Sequence, residues 1–508
     1  MIDHLKRTKI IATCGPALTK SLVSLKMLDD NEYAAIKKVA YANIEAIIKS
    51  GVSVIRLNFS HGTHEEQQVR IKIVRDVAKA MNIPVSIMLD TNGPEIRIVE
   101  TKKEGLKITK DSEVIINTMS KMIASDNQFA VSDASGKYNM VNDVNIGQKI
   151  LVDDGKLTLV VTRVDKQHNQ VICVAKNDHT VFTKKRLNLP NAQYSIPFLS
   201  EKDLKDIDFG LRQGIDYIAA SFVNTVADIK QLRDYLKLKN ASGVKIIAKI
   251  ESNHALNNID KIIKASDGIM VARGDLGLEI PYYQVPYWQR YMIKACRFFN
   301  KRSITATQML DSLEKNIQPT RAEVTDVYFA VDRGNDATML SGETASGLYP
   351  LNAVAVMQKI DKQSETFFDY QYNVNYYLKN STANKSRFWH NVVLPLTKKT
   401  VPKRKLVNSA FKYDFIVYPT NNINRIYALS NARLAAAVII LTNNKRVYTG
   451  HGVDYGIFCY LIDKNPNQLT KAELIELAWK AINHYQAYGD LEKLKQCLAV
   501  YNETIINL

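Results

Sequence analysis

VKIIAKIESNHALNNIDKIIKASDGIMVARGD, residues 244–275, holds two short apolar runs, each ending in charged side chains, with a helix-like segment between them. Near-continuous β-branched runs alternating with helices mark parallel strands that are covered on both faces. The same unit recurs outward in both directions. TKIIATCG (8–15), SVIRLNFS (53–60), VSIMLDT (85–91) and YIAASFV (217–223) precede it, and RSITATQ (302–308) and ATMLSGE (337–343) follow. Eight units predict an α/β fold of the (β/α)8 TIM-barrel type.

The spacing breaks once, with 132 residues between the starts of the third and fourth runs. The extra segment alternates apolar and polar residues, as in LKITKDSEVIINT and QKILVDDGKLTLVVTRVD. It reads as a small β-barrel domain, 95–195, inserted where a barrel's active face lies and so placed to act as a lid. The catalytic barrel is then discontinuous, 1–94 and 196–360. Beyond it KNSTANKSRFWH is polar and turn-rich, and FIVYPT, AAAVIILT and GIFCYLI read as strands with ELIELAWKAINHY as an amphipathic helix. Residues 361–508 are therefore expected to form an α/β open-sheet domain.

At 508 residues, with 46% hydrophobic and 23% charged composition, the chain suits several folded domains rather than disorder. No apolar run approaches the roughly 18 residues of a spanning helix. The N-terminal apolar stretch is too short for a signal peptide, so the expected location is cytoplasmic. Five scattered cysteines without a CxxC pair exclude a disulfide framework and a zinc site of ordinary spacing, and read as small buried hydrophobes. The 68 basic and 51 acidic residues leave a net charge of +17, and +8 of it falls in 361–508. Such a field suits polyanions, whether nucleic acids or phosphorylated metabolites. KKTVPKRK (398–405) has five basic residues in eight but no interleaved aromatics, so it reads as a solvated basic loop and nucleic-acid binding is not expected.

Barrel enzymes carry their chemistry at the C-terminal strand ends. Here Arg56, Asn58 and Ser60 share one face of the second run, the third ends Asp90-Thr91, and the fifth carries Lys249 and Glu251 two residues apart. The sixth ends Arg273-Gly274-Asp275, the seventh carries Thr307, and the eighth ends Ser341-Gly342-Glu343. Glu251 and Asp275 on adjacent strands match the protein share of a Mg²⁺ shell. Lys249 is a fixed positive charge beside it, Arg56 can clamp a phosphate, and Gly274 lets substrate approach the backbone. Any one pair could be a structural salt bridge or cap, but polar ends on seven of eight runs point to phosphoryl transfer.

These stretches resemble pyruvate kinase. The match runs through TKIIATCGPA (8–17), VIRLNFSHG (54–62), DTNGPEIR (90–97), LVDDGKL (151–157), KKRLNLPN (184–191), KIIAKIES (245–252), SDGIMVARGDLGLEIP (266–281), TATQMLDS (305–312), PTRAEVTDV (319–327) and MLSGETASGLYP (339–350). The C-terminal third matches in layout only. The resemblance implies transfer of the phosphoryl group of phosphoenolpyruvate to ADP, giving pyruvate and ATP in glycolysis, by a homotetramer. It implies that Arg56 holds the substrate phosphate, that Glu251 and Asp275 bind Mg²⁺, and that Gly274 and Thr307 line the phosphoenolpyruvate pocket. Lys249 would stabilise the transferring phosphoryl group, and Asn58, Ser60, Asp90 and Thr91 would bind K⁺. Arg97 and Lys185 would contact the nucleotide, and Ser341 and Glu343 would belong to the relay that protonates enolpyruvate. His61 and Asp153 would be neighbours of the site. Glu95 stands where K⁺-requiring members carry Glu, and would leave a net negative pocket.

Four features depart from the family pattern: Asn92 in place of a Lys, Arg186 in place of a Gly, roughly 15 extra residues after Ala17, and a 420–425 stretch lacking the Gly of a sugar-phosphate effector loop. A metal-dependent barrel lyase or aldolase acting on a pyruvate enolate would share Glu251 and Asp275, but would need no K⁺ site, lid or Arg97.

Overall fold

The computed structural model describes residues 4–20, 30–192, 194–380, 382, 386–404 and 409–508. Eight parallel strands close into a barrel in the order the chain makes them: Lys9–Thr13, Val52–Asn58, Ser86–Asp90, Tyr217–Ala220, Lys245–Ile250, Gly268–Ala272, Arg302–Ala306 and Ala337–Leu340. The first strand closes the ring, pairing with the eighth (Lys9 opposite Ala337) and the second (Thr13 opposite Arg56). Ile11, Val54, Met88, Tyr217, Ala219, Ile247, Met270, Ile304, Ala306 and Met339 fill the interior. Residues two apart on these strands share a face, so the interior set fixes which later side chains also point inward. Capping boxes start the helices after the second and fourth strands, with Thr63 and Glu66 at one and Thr225 and Asp228 at the other. Each box satisfies orphan N–H groups at a fixed residue and so fixes where the strand-to-helix turn ends.

Seven short strands between Ile96 and Asn188 form a second closed barrel with its own core, including Ile96, Phe129, Val152, Leu159 and Leu187. It closes where Lys149–Val152 pairs with Arg186–Asn188. At its entry the backbone N–H groups of Asn92 and Gly93 both donate to Asp203, at 3.0 and 3.3 Å, which ties the junction to the barrel.

The C-terminal sheet runs Ile457–Leu461, Ala437–Thr442, Tyr413–Pro419, Gln496–Tyr501 and Thr504–Asn507, parallel except for the last edge strand. Its 450–455 loop enters the bottom of the large barrel. There Val453 joins the interior cluster, Tyr217 Oη donates to the Gly450 carbonyl at 2.6 Å, and buried Asp454 meets Arg302 and His451. That end is filled, and the open end carries the polar residues.

KNSTANKSRFWH needs a correction. Residues 381 and 383–385 lie outside the described set, but Phe388 and Trp389 are buried in the core of the C-terminal domain, with Trp389–Val393 helical. The aromatic end of that stretch packs, and the polar residues around it hid the signal. Of KKTVPKRK, Lys398 and Lys399 are exposed in the last turn of helix Leu394–Thr400, where cations suit the helix dipole, and Lys405 lies outside the described residues. So do 21–29, which fall in the long connection after Ala17, ahead of helix Asp30–Lys49. All five cysteines are buried and free. No helix among the described residues is long and apolar enough to cross a membrane.

Candidate active site

The interior parity of the barrel strands builds the site. Two residues past Ile11, Val54, Met88 and Ile247 come Thr13, Arg56, Asp90 and Lys249, and these form the top polar layer. Arg56 donates from Nε to Asp90 Oδ2 at 2.6 Å and from Nη1 to Thr13 Oγ1 at 2.9 Å. Lys249 Nζ lies 3.1 Å from Asp90 Oδ1 and 2.9 Å from Glu251 Oε1, and donates to Ser221 Oγ at 2.7 Å. Burial pushes the Asp90 carboxyl up, but Arg56 and Lys249 outweigh it and hold the carboxyl below its ordinary range. Burial likewise opposes the charge on Lys249, and Asp90 and Glu251 overcome it, raising the ammonium above its usual value. Lys249 is therefore a permanent cation whose three oxygen partners fix its position.

Glu251 accepts from the Phe222 N–H through Oε2 at 2.7 Å, while its buried Oε1 faces the Lys249 ammonium at 2.9 Å. Burial raises this carboxyl in spite of the neighbouring ammonium. Asp275, in the first turn of helix Arg273–Glu279, is met by Arg186, which reaches across from the lid. Among the described residues no group of three or more His, Cys, Asp or Glu is gathered as a metal cage. Two carboxylates just past the ends of paired strands, Glu251 and Asp275, fit instead a Mg²⁺ ion that takes its remaining ligands from water and substrate.

Thr307 has φ +65° and Gln308 φ +52°, left-handed values that are costly for a β-branched residue. Arg273 holds this turn. It donates to the Thr307 carbonyl at 2.6 Å and the Gln308 carbonyl at 3.1 Å, and is itself anchored on Asp326 at 2.5 Å. The turn aims Thr307 Oγ1 at the Gly274 N–H, 2.8 Å away. A Cβ on Gly274 would meet nothing closer than that same hydroxyl at 3.6 Å, so the space beside Gly274 is open to a ligand.

On the eighth strand end, Glu343 accepts from the N–H groups of Leu310 (3.1 Å) and Ser341 (2.7 Å), and burial raises its carboxyl. Ser341 Oγ is buried without a hydrogen-bond partner. Asn58 lies opposite Asp90 on the neighbouring strand, and its Oδ1 accepts from the Ser60 N–H at 3.0 Å. The Thr91 carbonyl accepts from Ser221 Oγ at 2.8 Å. The structure thus brings Asn58, Ser60, Asp90 and Thr91 to two adjacent strand ends as an all-oxygen set. That chemistry fits a weakly hydrated monovalent cation.

In the lid, Arg97 pairs with Glu95 at 2.7 Å and donates to the Lys184 carbonyl at 2.8 Å. Lys185 lies 2.8 Å from Asp153. Asp153 also meets His179 at 3.0 Å, so it organises the lid. Burial lowers the pKa of His61, with Arg97 adding to it. The expectation that Glu95 leaves a net negative pocket is corrected: Arg97 and Arg186, the latter 3.6 Å away, both lie against it. Sequence reasoning missed Ser221, which joins Lys249, Asp90 and Thr91. Its signal was the one polar residue ending YIAASFV, two past the inward Ala219.

Three comparisons bear on this geometry. A sequence model of the family described as "Pyruvate kinase, barrel domain" matches residues 5–354. The chain is 78% identical over 508 residues to a pyruvate kinase of Mycoplasma pneumoniae, covering both chains in full. It is 36% identical over 475 residues to one from Geobacillus stearothermophilus, covering 93% of this chain and 74% of that one. A crystal structure of a pyruvate kinase from Cryptosporidium parvum superposes with a TM-score of 0.83 at 30% identity, covering 99% of this chain and 96% of that one.

Proposed function

This chain belongs to the pyruvate kinase family, and on that premise we propose how its own residues divide the work. The enzyme transfers the phosphoryl group of phosphoenolpyruvate to ADP, giving pyruvate and ATP. The observation that carries the assignment of roles is Lys249, a buried ammonium held 2.9 Å from Glu251 and 3.1 Å from Asp90 at the open end of the barrel.

Arg56 binds the substrate phosphate, its guanidinium oriented beforehand by Asp90 and Thr13. Glu251 and Asp275 would hold Mg²⁺, which when bound supplies Lewis-acid stabilisation of phosphoryl and enolate oxygens. Lys249 stabilises charge that grows on the transferring group, at no reorganisation cost because its partners already fix it. The open backbone at Gly274 admits the substrate, and Thr307 Oγ1 stands at its edge. Asn58, Ser60, Asp90 and the Thr91 carbonyl would hold K⁺ and so offset phosphate charge. Arg97 and Lys185 turn from Glu95 and Asp153 to the nucleotide phosphates. Ser341 Oγ, buried and free to hydrogen-bond, would belong to a relay in which a proton taken from water is handed on as the hydroxyl gives up its own, reaching the methylene carbon from the Thr307 side, with Glu343 setting the turn that carries it. The lid excludes water, favouring ADP as acceptor over hydrolysis.

Kinship with the family supports a homotetramer working in the cytoplasm. An enolate lyase or aldolase would need neither the lid arginine nor the K⁺ set. Continuous assay of ATP formation from phosphoenolpyruvate and ADP, with Mg²⁺ and K⁺ varied separately, tests the reading. Activity that ignores both ions would refute it.

A further inference from the structure

The lid's one departure at the site is also its one direct contact with the carboxylate pair. Arg186 lies on lid strand Arg186–Asn188, whose backbone pairs with Arg97 and Ile96. Its side chain crosses to the barrel. One Nη meets Asp275 Oδ1, the same nitrogen lies 3.8 Å from Asp154, and the other lies 3.6 Å from Glu95. A guanidinium is planar, always charged and suited to a carboxylate edge, and here it is largely shielded from water. It therefore stands at a carboxylate proposed to hold the divalent cation. Nothing else in the lid reaches Glu251 or Asp275 through a hydrogen bond or ion pair among the described residues.

We propose that Arg186 is a lid-borne latch that competes with the divalent cation for Asp275, so that metal entry releases the lid from the barrel. The proposal rests on the assignment of Glu251 and Asp275 as metal ligands. Two cations cannot share one carboxylate edge cheaply, so each lowers the other's apparent affinity by the same factor. If the latch is closed in about four molecules of five, apparent metal affinity falls about fivefold, the inverse of the competent fraction. Once displaced, the fork is free on the lid's inner face, where it can take two oxygens of a phosphate.

The test uses the full-length protein without phosphoenolpyruvate or nucleotide, with Mn²⁺ as probe. Free Mn²⁺ is counted by electron paramagnetic resonance for the wild type, Arg186→Gln, Arg186→Lys and Asp275→Asn. Arg186→Gln is expected to bind Mn²⁺ at least about fivefold more tightly, with Arg186→Lys between it and the wild type. Amide hydrogen exchange at 186–191 and 95–98 is expected to rise on adding Mg²⁺ to the wild type. In Arg186→Gln it should start high and stay there, whatever the metal. Unchanged or weaker Mn²⁺ binding by Arg186→Gln overturns the latch. So does tighter binding without any metal-dependent exchange in the wild type, which would leave only a long-range charge effect. Asp275→Asn separates the two levels: if it keeps wild-type Mn²⁺ affinity, the metal assignment itself fails and the latch falls with it.

Discussion

Replacing Lys249 by Met isolates the group on which the mechanism leans most. The side chain is 11% exposed, and its ammonium has carboxylate oxygens at 2.9 and 3.1 Å and a hydroxyl at 2.7 Å. Its charge is thus poorly screened, and its position is fixed before substrate arrives. Loss of one such preorganised donor costs about 10²–10³ in kcat, or about 2.7–4 kcal/mol. Arg56 remains bound to Asp90, so on the proposed roles the ground-state phosphate keeps its clamp. KM should therefore move less than about threefold, the signature of an interaction realised in the transition state. Steady-state assay of ATP formation at saturating Mg²⁺ and K⁺ reads both constants. A folded Lys249→Met enzyme with kcat within about threefold of wild type would refute the role.

The same substitution has a stability signature whose sign can be worked out. Glu251 is raised by burial, and Lys249 is the strongest influence pulling it back. Without the ammonium the carboxyl rises further, so the folded protein holds a proton that the unfolded chain releases from about pH 4.3 upward. Stability then falls as pH rises through that interval. The Tm deficit of Lys249→Met should be larger at pH 8 than at pH 5.5, and an equal deficit at both would mean Glu251 does not sense the ammonium.

Glu365 gives the opposite slope: it is buried, yet Arg7, His4 and the Thr8 N–H hold it down to about 2. Its share of stability, about 3 kcal/mol from the shift, is present above the unfolded pKa and lost as pH falls from about 4.5 towards 2. The Tm difference between wild type and Glu365→Gln should close over that window and persist at pH 7. Replacing KCl by a tetramethylammonium salt at equal ionic strength should cut activity at least about tenfold, since an organic cation cannot enter an all-oxygen site. Full activity without K⁺ would overturn the site. Fructose bisphosphate should leave the phosphoenolpyruvate saturation curve unchanged. Arg425, the one cation of the 420–425 loop, is engaged by Tyr418 Oη at 2.7 Å, Glu503 at 3.1 Å and the Phe388 ring at 4.8 Å. A sigmoidal curve made hyperbolic by the effector would contradict this.

What could be read in the sequence followed the period of two along a strand. Arg56 follows Val54, and Lys249 and Glu251 follow Ile247, at spacings that put them on the inward face once the run is a barrel strand. The same rule places Ser221, two past the inward Ala219, on that face. What lay off the strands was not legible. The part of Arg273 is to hold the left-handed turn at Thr307 and Gln308 from 34 residues away, and no spacing encodes that. Arg186 was visible as a departure from a family pattern, but its partner Asp275 lies 89 residues on. Only the closure of two separate barrels brings them together. Phe388 and Trp389 were hidden for a different reason: their packing partners are strand residues such as Tyr418 and Ile416, so their own polar neighbourhood carried no amphipathic signal.

The charges at the open end argue for interdependent ligands. Arg56, Lys249, Arg97 and Arg186 face Asp90, Glu251, Glu95 and Asp275, four cations against four carboxylates. Such a constellation is balanced without ligands, so neither kind of ion meets a strongly attractive site alone. A divalent cation must overcome Lys249 and Arg186, and an anionic substrate must overcome Glu251 and Asp275. Each ligand, once bound, removes the charge that opposes the other. Coupling of this kind is reciprocal: whatever factor the metal contributes to substrate affinity, the substrate returns to the metal. Because the carboxylates and cations lie within hydrogen-bonding reach and mostly out of water, that factor is weakly screened by salt. On the proposed assignment, balanced charge therefore makes the two ligands enter as a pair.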